Sequence, residues 1–235
     1  MKKQIPNLIT SFNLICGLIS IYLSFQGLIH WAAAFMAFGA FFDFFDGLAA
    51  RLLNAKSSMG LQMDSLADMV SFGVAPGFIL FHLMGTSNNL PLISIGTTNA
   101  AVFAAFLIPV FSAYRLAKFN IDTRQTDSFL GLPTPAMALF VGSLPFVVSG
   151  YWSLQLDLAN NYYLYLLVTI VLSLLMISEI PLFSLKFKSL KWRQNQSRFI
   201  FLLLSILLIG WLQVAAFPII VLCYVLMSAL NRFSK

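Results

Sequence analysis

Residues 41–68 read FFDFFDGLAARLLNAKSSMGLQMDSLAD, and this stretch holds four of the eight acidic residues of a 235-residue chain: Asp43, Asp46, Asp64 and Asp68. The remainder is strongly apolar, with 60% hydrophobic and 9% charged residues and a mean hydropathy of +0.88. Soluble domains do not carry that composition, so the four carboxylates belong to an integral membrane protein. Working outward from them, apolar runs able to cross about 30 Å of hydrocarbon as helices recur along the whole chain. The predicted spans are 7–29, 31–51, 61–84, 95–115, 134–150, 162–181, 199–213 and 215–231; the last two are short enough to form a helical hairpin or to lie partly in the interface. The expected fold class is an all-α polytopic membrane protein of about eight transmembrane helices, in one transmembrane domain covering 1–235.

Charge placement supports that reading. With an inside start, all fourteen Lys and Arg fall in the inner segments: Lys2 and Lys3; Arg51 and Lys56; Arg115, Lys118 and Arg124; Lys186, Lys188, Lys191, Arg193 and Arg198; Arg232 and Lys235. The outer segments carry one charge, Asp157. This asymmetry is the positive-inside pattern, so both termini are expected on the cytoplasmic side of the cell (inner) membrane. The net charge of +6 then reflects inner-face bias and attraction to anionic headgroups, and nucleic acid is not an expected partner. Lys2 and Lys3 precede a full-length span with no small-residue cleavage site after it, so no cleaved leader is expected. Cys16 and Cys223 fall inside spans and read as small apolar side chains. His30 and His82 fall near the outer face, while Trp31, Trp152 and Trp211 suit an outer aromatic belt and Trp192 an inner one.

An ionised carboxylate in a bilayer is costly and usually faces the bundle interior. At 100° per residue, Asp43 and Asp46 are about 60° apart on their helix and Asp64 and Asp68 about 40° apart, so each pair shares a face. The short connection at 52–60 makes the two helices antiparallel neighbours whose acidic faces can meet. Four like charges in low dielectric must be neutralised by cations or protons. Hard oxygen ligands favour Mg²⁺, Mn²⁺ or Ca²⁺ over zinc, and two bridged ions form the kind of site that handles phosphoryl groups. Gly47 lies on the face of Asp43, with Ala50 one turn on and Gly60 one turn before Asp64. These small residues either leave room for a phosphate-bearing ligand or permit tight helix packing. Arg51 can offer a bidentate contact to phosphate oxygens.

The pattern Asp43, Asp46-Gly47-x-x-Ala50-Arg51, Gly60, Asp64, Asp68 resembles the signature of the CDP-alcohol phosphatidyltransferase family at every fixed position. The resemblance implies that family's helical bundle, often a homodimer, and a Mg²⁺- or Mn²⁺-dependent transfer of a phosphatidyl group from a CDP-linked lipid to an alcohol, with release of CMP. It also implies that Asp43, Asp46 and Asp64 ligate metal and that Asp68 completes the metal site while serving as general base. Gly47, Ala50, Arg51 and Gly60 would line the CDP pocket. Three further segments, IPNLITSFNLICG from residue 5, RLAKFN at 115–120 and FLGLPTPAM at 129–137, look like those of membrane-embedded bacterial and archaeal phosphatidylserine synthases. CDP-diacylglycerol and L-serine are the substrates this implies. The expected catalytic core is about 1–181, followed by a hydrophobic extension at about 199–231.

Serine brings a carboxylate, and Arg115 and Lys118 at the inner end of the fourth span either meet it or anchor that span, with Arg115 the stronger candidate for the contact. Asn7, Thr10 and Asn13 repeat at helical spacing on the first span and point either to cytidine and headgroup contacts (Asn7, Thr10), with Asn13 toward the acceptor, or to interhelical hydrogen bonds. Glu179, before Pro181, reads as solvated or locally bonded. Glycerol 3-phosphate or inositol phosphate is the alternative acceptor, although no predicted span carries a basic residue in its middle. A cation-coupled transporter is the alternative of another class. It would need polar groups reaching the outer face, where the second and third spans offer mainly Phe, Ala, Met and Val.

Overall fold

The computed structural model describes residues 4–55, 57–96, 98–122, 128–149, 160–183 and 192–233. Lys2, Lys3, Lys56, Arg124, Trp152, Asp157, Lys186, Lys188, Lys191 and Lys235 lie outside the described residues, and Trp192, Arg193 and Arg232 are described in backbone only. The helices are α1 Gln4–Phe25, α2 Ile29–Leu52, α3 Ser58–Gly85, α4 Ala100–Ile121, α5 Thr134–Val148, α6 Tyr162–Ile177, α7 Trp192–Leu212 and α8 Phe217–Phe233. By length and composition α1, α2, α3, α4 and the stretch Asn195–Leu230 can each cross a membrane, and α5 and α6 are shorter apolar helices. Among the described residues there are also two antiparallel ribbons: β1 Ser94–Ile95 with β2 Thr98–Asn99, and β3 Ser128–Leu130 with β4 Pro181–Phe183. The protein is an all-α polytopic membrane protein. Its outward faces are apolar, with Leu8, Phe41, Phe44 and Leu203 exposed, while Met36, Phe72, Ile79, Ile108, Met137 and Tyr165 fill the interior.

The first helix is held by its polar and small residues. Thr10, Asn13, Gly17, Ser20 and Ser24 form one buried stripe, the close-approach surface that helices use where lipid supplies no hydrophobic drive. Ser20 Oγ donates to the Ala32 carbonyl of α2 at 2.7 Å, and Ser71 Oγ of α3 donates to the Asn13 carbonyl at 2.9 Å. A Cβ at Gly17 would stand 2.8 Å from the Ser71 Cα, so the backbones approach as closely as they do only because that position is glycine. In this way α1 packs along α2 and against α3.

Helix α3 changes winding midway. Ser57 caps its start by accepting from the Gly60 N–H at 3.0 Å. Residues Met69–Val74 then form a π turn, directly after Asp68, in which the Ala75 N–H reaches back to the Val70 carbonyl. Pro76 follows and has no N–H to restore an α ladder over that turn. Such bulges recur at functional sites because they re-aim the residues before them relative to those after.

Several boundaries differ from the predicted ones. The ribbon β1–β2 occupies the stretch where the fourth span was expected to begin, so α4 starts at Ala100; it then continues through Ile121. Arg115 therefore sits within the helix and not at its end, because RLAKFN is too polar to score as a span yet contains no helix breaker. Helix α6 stops at Ile177, short of the expected 181, and Pro181 opens β4. Helix α7 begins at Trp192, ahead of the expected 199, and is kinked at Asn195, whose φ of −131° and ψ of 19° are not helical. The last two elements form a hairpin, turning at Gln213–Ala216, where Gln213 has φ +50°, and Phe201 and Tyr224 on either side of the turn have ring centres 5.5 Å apart. Trp31 and Trp211 are exposed, and Cys16 and Cys223 are free thiols.

Candidate functional site

The acids converge where α2 ends and α3 begins. One carboxylate oxygen from each of Asp43, Asp64 and Asp68 lies within 4.8 Å of the others. Of the four acids expected to meet, these three form the cluster, and Asp46 stands beside it. Its place about 60° around the helix from Asp43 turns it to α1, where its Oδ2 accepts a 2.6 Å hydrogen bond from Thr10 Oγ1. Asn13, one turn further along α1, donates from Nδ2 to Asp68 Oδ1 at 3.3 Å. Thr10 and Asn13 thus brace one acid each, and the helix carrying them is the wedge between the two acidic helices. The amide oxygen Oδ1 of Asn13 is buried without a hydrogen-bond partner.

A cavity of about 650 Å³ opens beside the acids, between α1, the end of α2 and the start of α3. All six residues expected at the CDP-lipid pocket line it: Asn7, Thr10, Gly47, Ala50, Arg51 and Gly60, together with Asp46 and Asp64. The two readings of the glycines separate here. A Cβ built on Gly47 meets nothing within 4 Å, so Gly47 keeps the cavity open and packs against no helix. At Gly60 a Cβ would stand 3.1 Å from both Asn7 Oδ1 and Ser57 Oγ, a packed position on the cavity wall. Arg51 is exposed and curls along its own helix, with Nε donating to the Gly47 carbonyl at 2.9 Å, which fixes the guanidinium at the cavity edge. Sequence reasoning missed Pro6, Ala55, Ser57, Ser58 and Leu61 as lining residues. Ser57, as a helix-capping serine ahead of an apolar run, carried a usable signal; the others carried none.

The remaining candidates divide clearly. Arg115 is 7% exposed, so it is no surface anchor. Its Nε donates to the Leu132 carbonyl at 2.7 Å, its guanidinium carbon lies 5.7 Å from the Phe119 ring centre, and Asp68 is within its electrostatic reach. Lys118 instead pairs with Glu179 at 3.5 Å, both partly or largely exposed. His30 meets Ser149 Oγ at 3.0 Å, away from the acids.

The cluster offers three hard anionic oxygens within one ion's reach, with a fourth carboxylate adjacent. That donor set fits a divalent oxygen-seeking cation; among the described residues the cluster includes neither His nor Cys, which zinc prefers. Cations at the edge of a cavity that also carries an arginine fork suit a diphosphate ligand.

Comparison with known proteins gives a consistent picture. Residues 3–176 match the family model described as CDP-alcohol phosphatidyltransferase. The chain is 40% identical over 144 residues to the CDP-diacylglycerol–serine O-phosphatidyltransferase of Bacillus subtilis (strain 168), covering 61% of this chain and 76% of that one. It is 35% identical over 206 residues to the Helicobacter pylori (strain ATCC 700392 / 26695) protein of the same name, covering 87% and 80%. It is also 30% identical over 178 residues to the archaetidylserine synthase of Methanothermobacter thermautotrophicus, covering 75% and 68%.

Proposed function

This chain belongs to the CDP-alcohol phosphatidyltransferase family, and we propose that it transfers the phosphatidyl group of CDP-diacylglycerol to the hydroxyl of L-serine, giving phosphatidylserine and CMP. The observation that carries the reading is the trio Asp43, Asp64 and Asp68, which reaches through Asp64 into a cavity lined also by Asp46 and by every small and basic residue of the signature. Relatives at 35–40% identity bear the name of that serine enzyme. Asp43, Asp64 and Asp68, with Asp46 beside them, would hold Mg²⁺ or Mn²⁺, two ions at full occupancy, which when bound neutralise the diphosphate and the departing CMP. Arg51 grips phosphate oxygens at the cavity edge, Gly47 and Ala50 leave the space that the nucleotide occupies, and Asn7 and Gly60 close its far wall. Asp68, oriented by Asn13, takes the proton of the serine hydroxyl as it attacks phosphorus. Arg115 meets the serine carboxylate with its paired Nη nitrogens, and Asn13 serves the acceptor through Asp68, its own Oδ1 being buried beside Gly39 of α2.

A one-sided site of this kind suits an enzyme that admits lipid from the bilayer and a polar alcohol from the cytoplasm. The basic inner segments support a cytoplasmic site in the inner membrane, with both termini on that side. We read 1–235 as one transmembrane domain, with its core in about 1–181 and the extension at about 199–231, and the active species as a homodimer.

Gly47→Leu is expected to fold normally, since nothing crowds that position and an interior helical glycine costs about 1 kcal/mol against good helix formers. It should nevertheless raise the KM for CDP-diacylglycerol about tenfold, the equivalent of about 1.4 kcal/mol of lost contact. An unchanged KM would put the nucleotide elsewhere. The reaction itself is tested by CMP release from the purified protein in detergent with CDP-diacylglycerol and Mn²⁺ or Mg²⁺, offering serine, glycerol 3-phosphate, inositol phosphate or no acceptor. Serine-dependent release with phosphatidylserine as product is expected. Release with another acceptor would overturn the serine assignment and keep the site, and no release under any condition would favour cation transport.

A further inference from the structure

The carbonyl that holds Arg115 is itself held from the far end of the chain. Leu132 lies in the turn between β3 and α5, where its N–H donates to the Leu175 carbonyl at 2.9 Å and the Gly131 N–H donates to the Ile180 carbonyl at 3.0 Å. Gly131 has φ +72°, and a Cβ there would stand 2.8 Å from the Ser178 carbonyl oxygen, so only glycine fits this turn against the end of α6. Strand β3, immediately before it, pairs with β4 through Ser128 with Phe183, Phe129 with Leu182 and Leu130 with Pro181. Strand β4 is fastened to α8. The Tyr224 hydroxyl donates to the Phe183 carbonyl at 2.9 Å, and the Phe183 N–H donates to Ser228 Oγ at 3.4 Å. Around that junction the rings of Phe183, Phe201 and Tyr224 pack with centres 5.0–5.7 Å apart, joining both arms of the α7–α8 hairpin to the strand.

From this connection we infer that the C-terminal hairpin is a positioning brace for Arg115, with Tyr224 as its positioning residue, so that α7 and α8 set how the acceptor carboxylate is received. The inference rests on the reading of Arg115 as the serine contact. A ribbon of two three-residue strands is marginal by itself, and α8 fastens one of the two, β4. Tyr224 is buried at 9% exposure and lies within electrostatic reach of Arg115. The match to the family model ends at residue 176, so the brace is built from residues beyond that match. Leucine and isoleucine alone would serve a hairpin that only filled lipid-facing volume; a buried tyrosine whose hydroxyl ends on a strand carbonyl does more than that.

The test is steady-state CMP release by the full-length protein in detergent with CDP-diacylglycerol and Mn²⁺, comparing Tyr224→Phe, Ser228→Ala, Arg115→Ala and the Tyr224→Phe/Arg115→Ala double variant. Tyr224→Phe keeps the ring and the fold, and Ser228→Ala probes the same fastening by a second bond. The expected result is a three- to tenfold rise in the serine KM for each of these two variants, with kcat and the CDP-diacylglycerol KM within twofold, and no further rise when Tyr224→Phe is added to Arg115→Ala. Equal changes in both KM values, or a fall in kcat alone, would overturn the brace. So would Tyr224→Phe and Ser228→Ala proteins with parental kinetics beside an Arg115→Ala protein with a raised serine KM. If Arg115→Ala leaves the serine KM unchanged, the reading of Arg115 on which the inference stands is itself overturned.

Discussion

Asp68→Asn is expected to abolish serine-dependent CMP release, lowering kcat by about 10²–10⁴-fold, the range that a positioned general base supplies. The CDP-diacylglycerol KM should stay within about twofold of the parent, because asparagine keeps the shape of the side chain and an oxygen for the Asn13 amide, which donates to Asp68 Oδ1 at 3.3 Å. What asparagine loses is the ability to take a proton from the serine hydroxyl and the charge of one of the three cluster oxygens, so both proteins are compared at saturating Mn²⁺. Steady-state CMP release, paired with equilibrium binding of CDP-diacylglycerol to the same protein, separates the two effects. Turnover that survives would pass the base's role to water or to another acid. Loss of binding together with turnover would make Asp68 a ligand of the phosphate-bearing substrate's cations and nothing more. The prediction is sharp because Asp68 closes the α-helical part of α3, immediately before the π turn at Met69–Val74, where a change of winding decides the direction of its carboxylate.

The pairing of the acids was legible because helical spacing is strict. Intervals of three and four residues put Asp43 with Asp46 and Asp64 with Asp68 on shared faces whatever the tertiary structure, and a short connection brought the two faces together. The division of the four into a trio and Asp46 was not legible, since it depends on what stands opposite, and the neighbour is α1. The Asn7, Thr10, Asn13 stripe announced a polar face without saying whether a ligand or another helix would meet it. Thr10 does both, bonding Asp46 and lining the cavity, while Asn13 reaches Asp68. Hydropathy also ended the fourth span at Arg115, because windows that sum apolarity cannot see that Arg115, Lys118 and Asn120 continue the same helix to Ile121. The β3–β4 ribbon gave no signal at all: its strands are three residues long, lie far apart in sequence and show no alternation. For that reason the hairpin α7–α8 was visible as two apolar runs, and its attachment to the turn that holds Arg115 was not.

Asp43→Asn should separate stability from activity in opposite directions. In EDTA the parent protein confines three carboxylates within 4.8 Å of one another, and like charges so close repel; neutralising one relieves that repulsion without creating a cavity, so the variant's thermal midpoint is expected to equal or exceed the parent's. With Mn²⁺ the order reverses. An ion present at a hundred times its dissociation constant stabilises the protein that binds it by about 2.7 kcal/mol, so the parent should gain several degrees while the variant gains little. CMP release should fall at least about a hundredfold, because partners that only orient a metal ligand are already worth 10–100-fold and Asp43 is read as a ligand itself. The measurement is the thermal midpoint of both proteins in EDTA and across a Mn²⁺ titration, with CMP release followed in parallel. A variant that is destabilised in EDTA yet still responds fully to Mn²⁺ would mean that the trio is a structural cluster and that the metal binds elsewhere. Thr10→Val distinguishes the fourth acid from the trio in the same assay. It removes the hydroxyl that Asp46 accepts from at 2.6 Å and leaves Asp43, Asp64 and Asp68 in place, so the Mn²⁺ response should persist if Asp46 serves the cavity more than the ion.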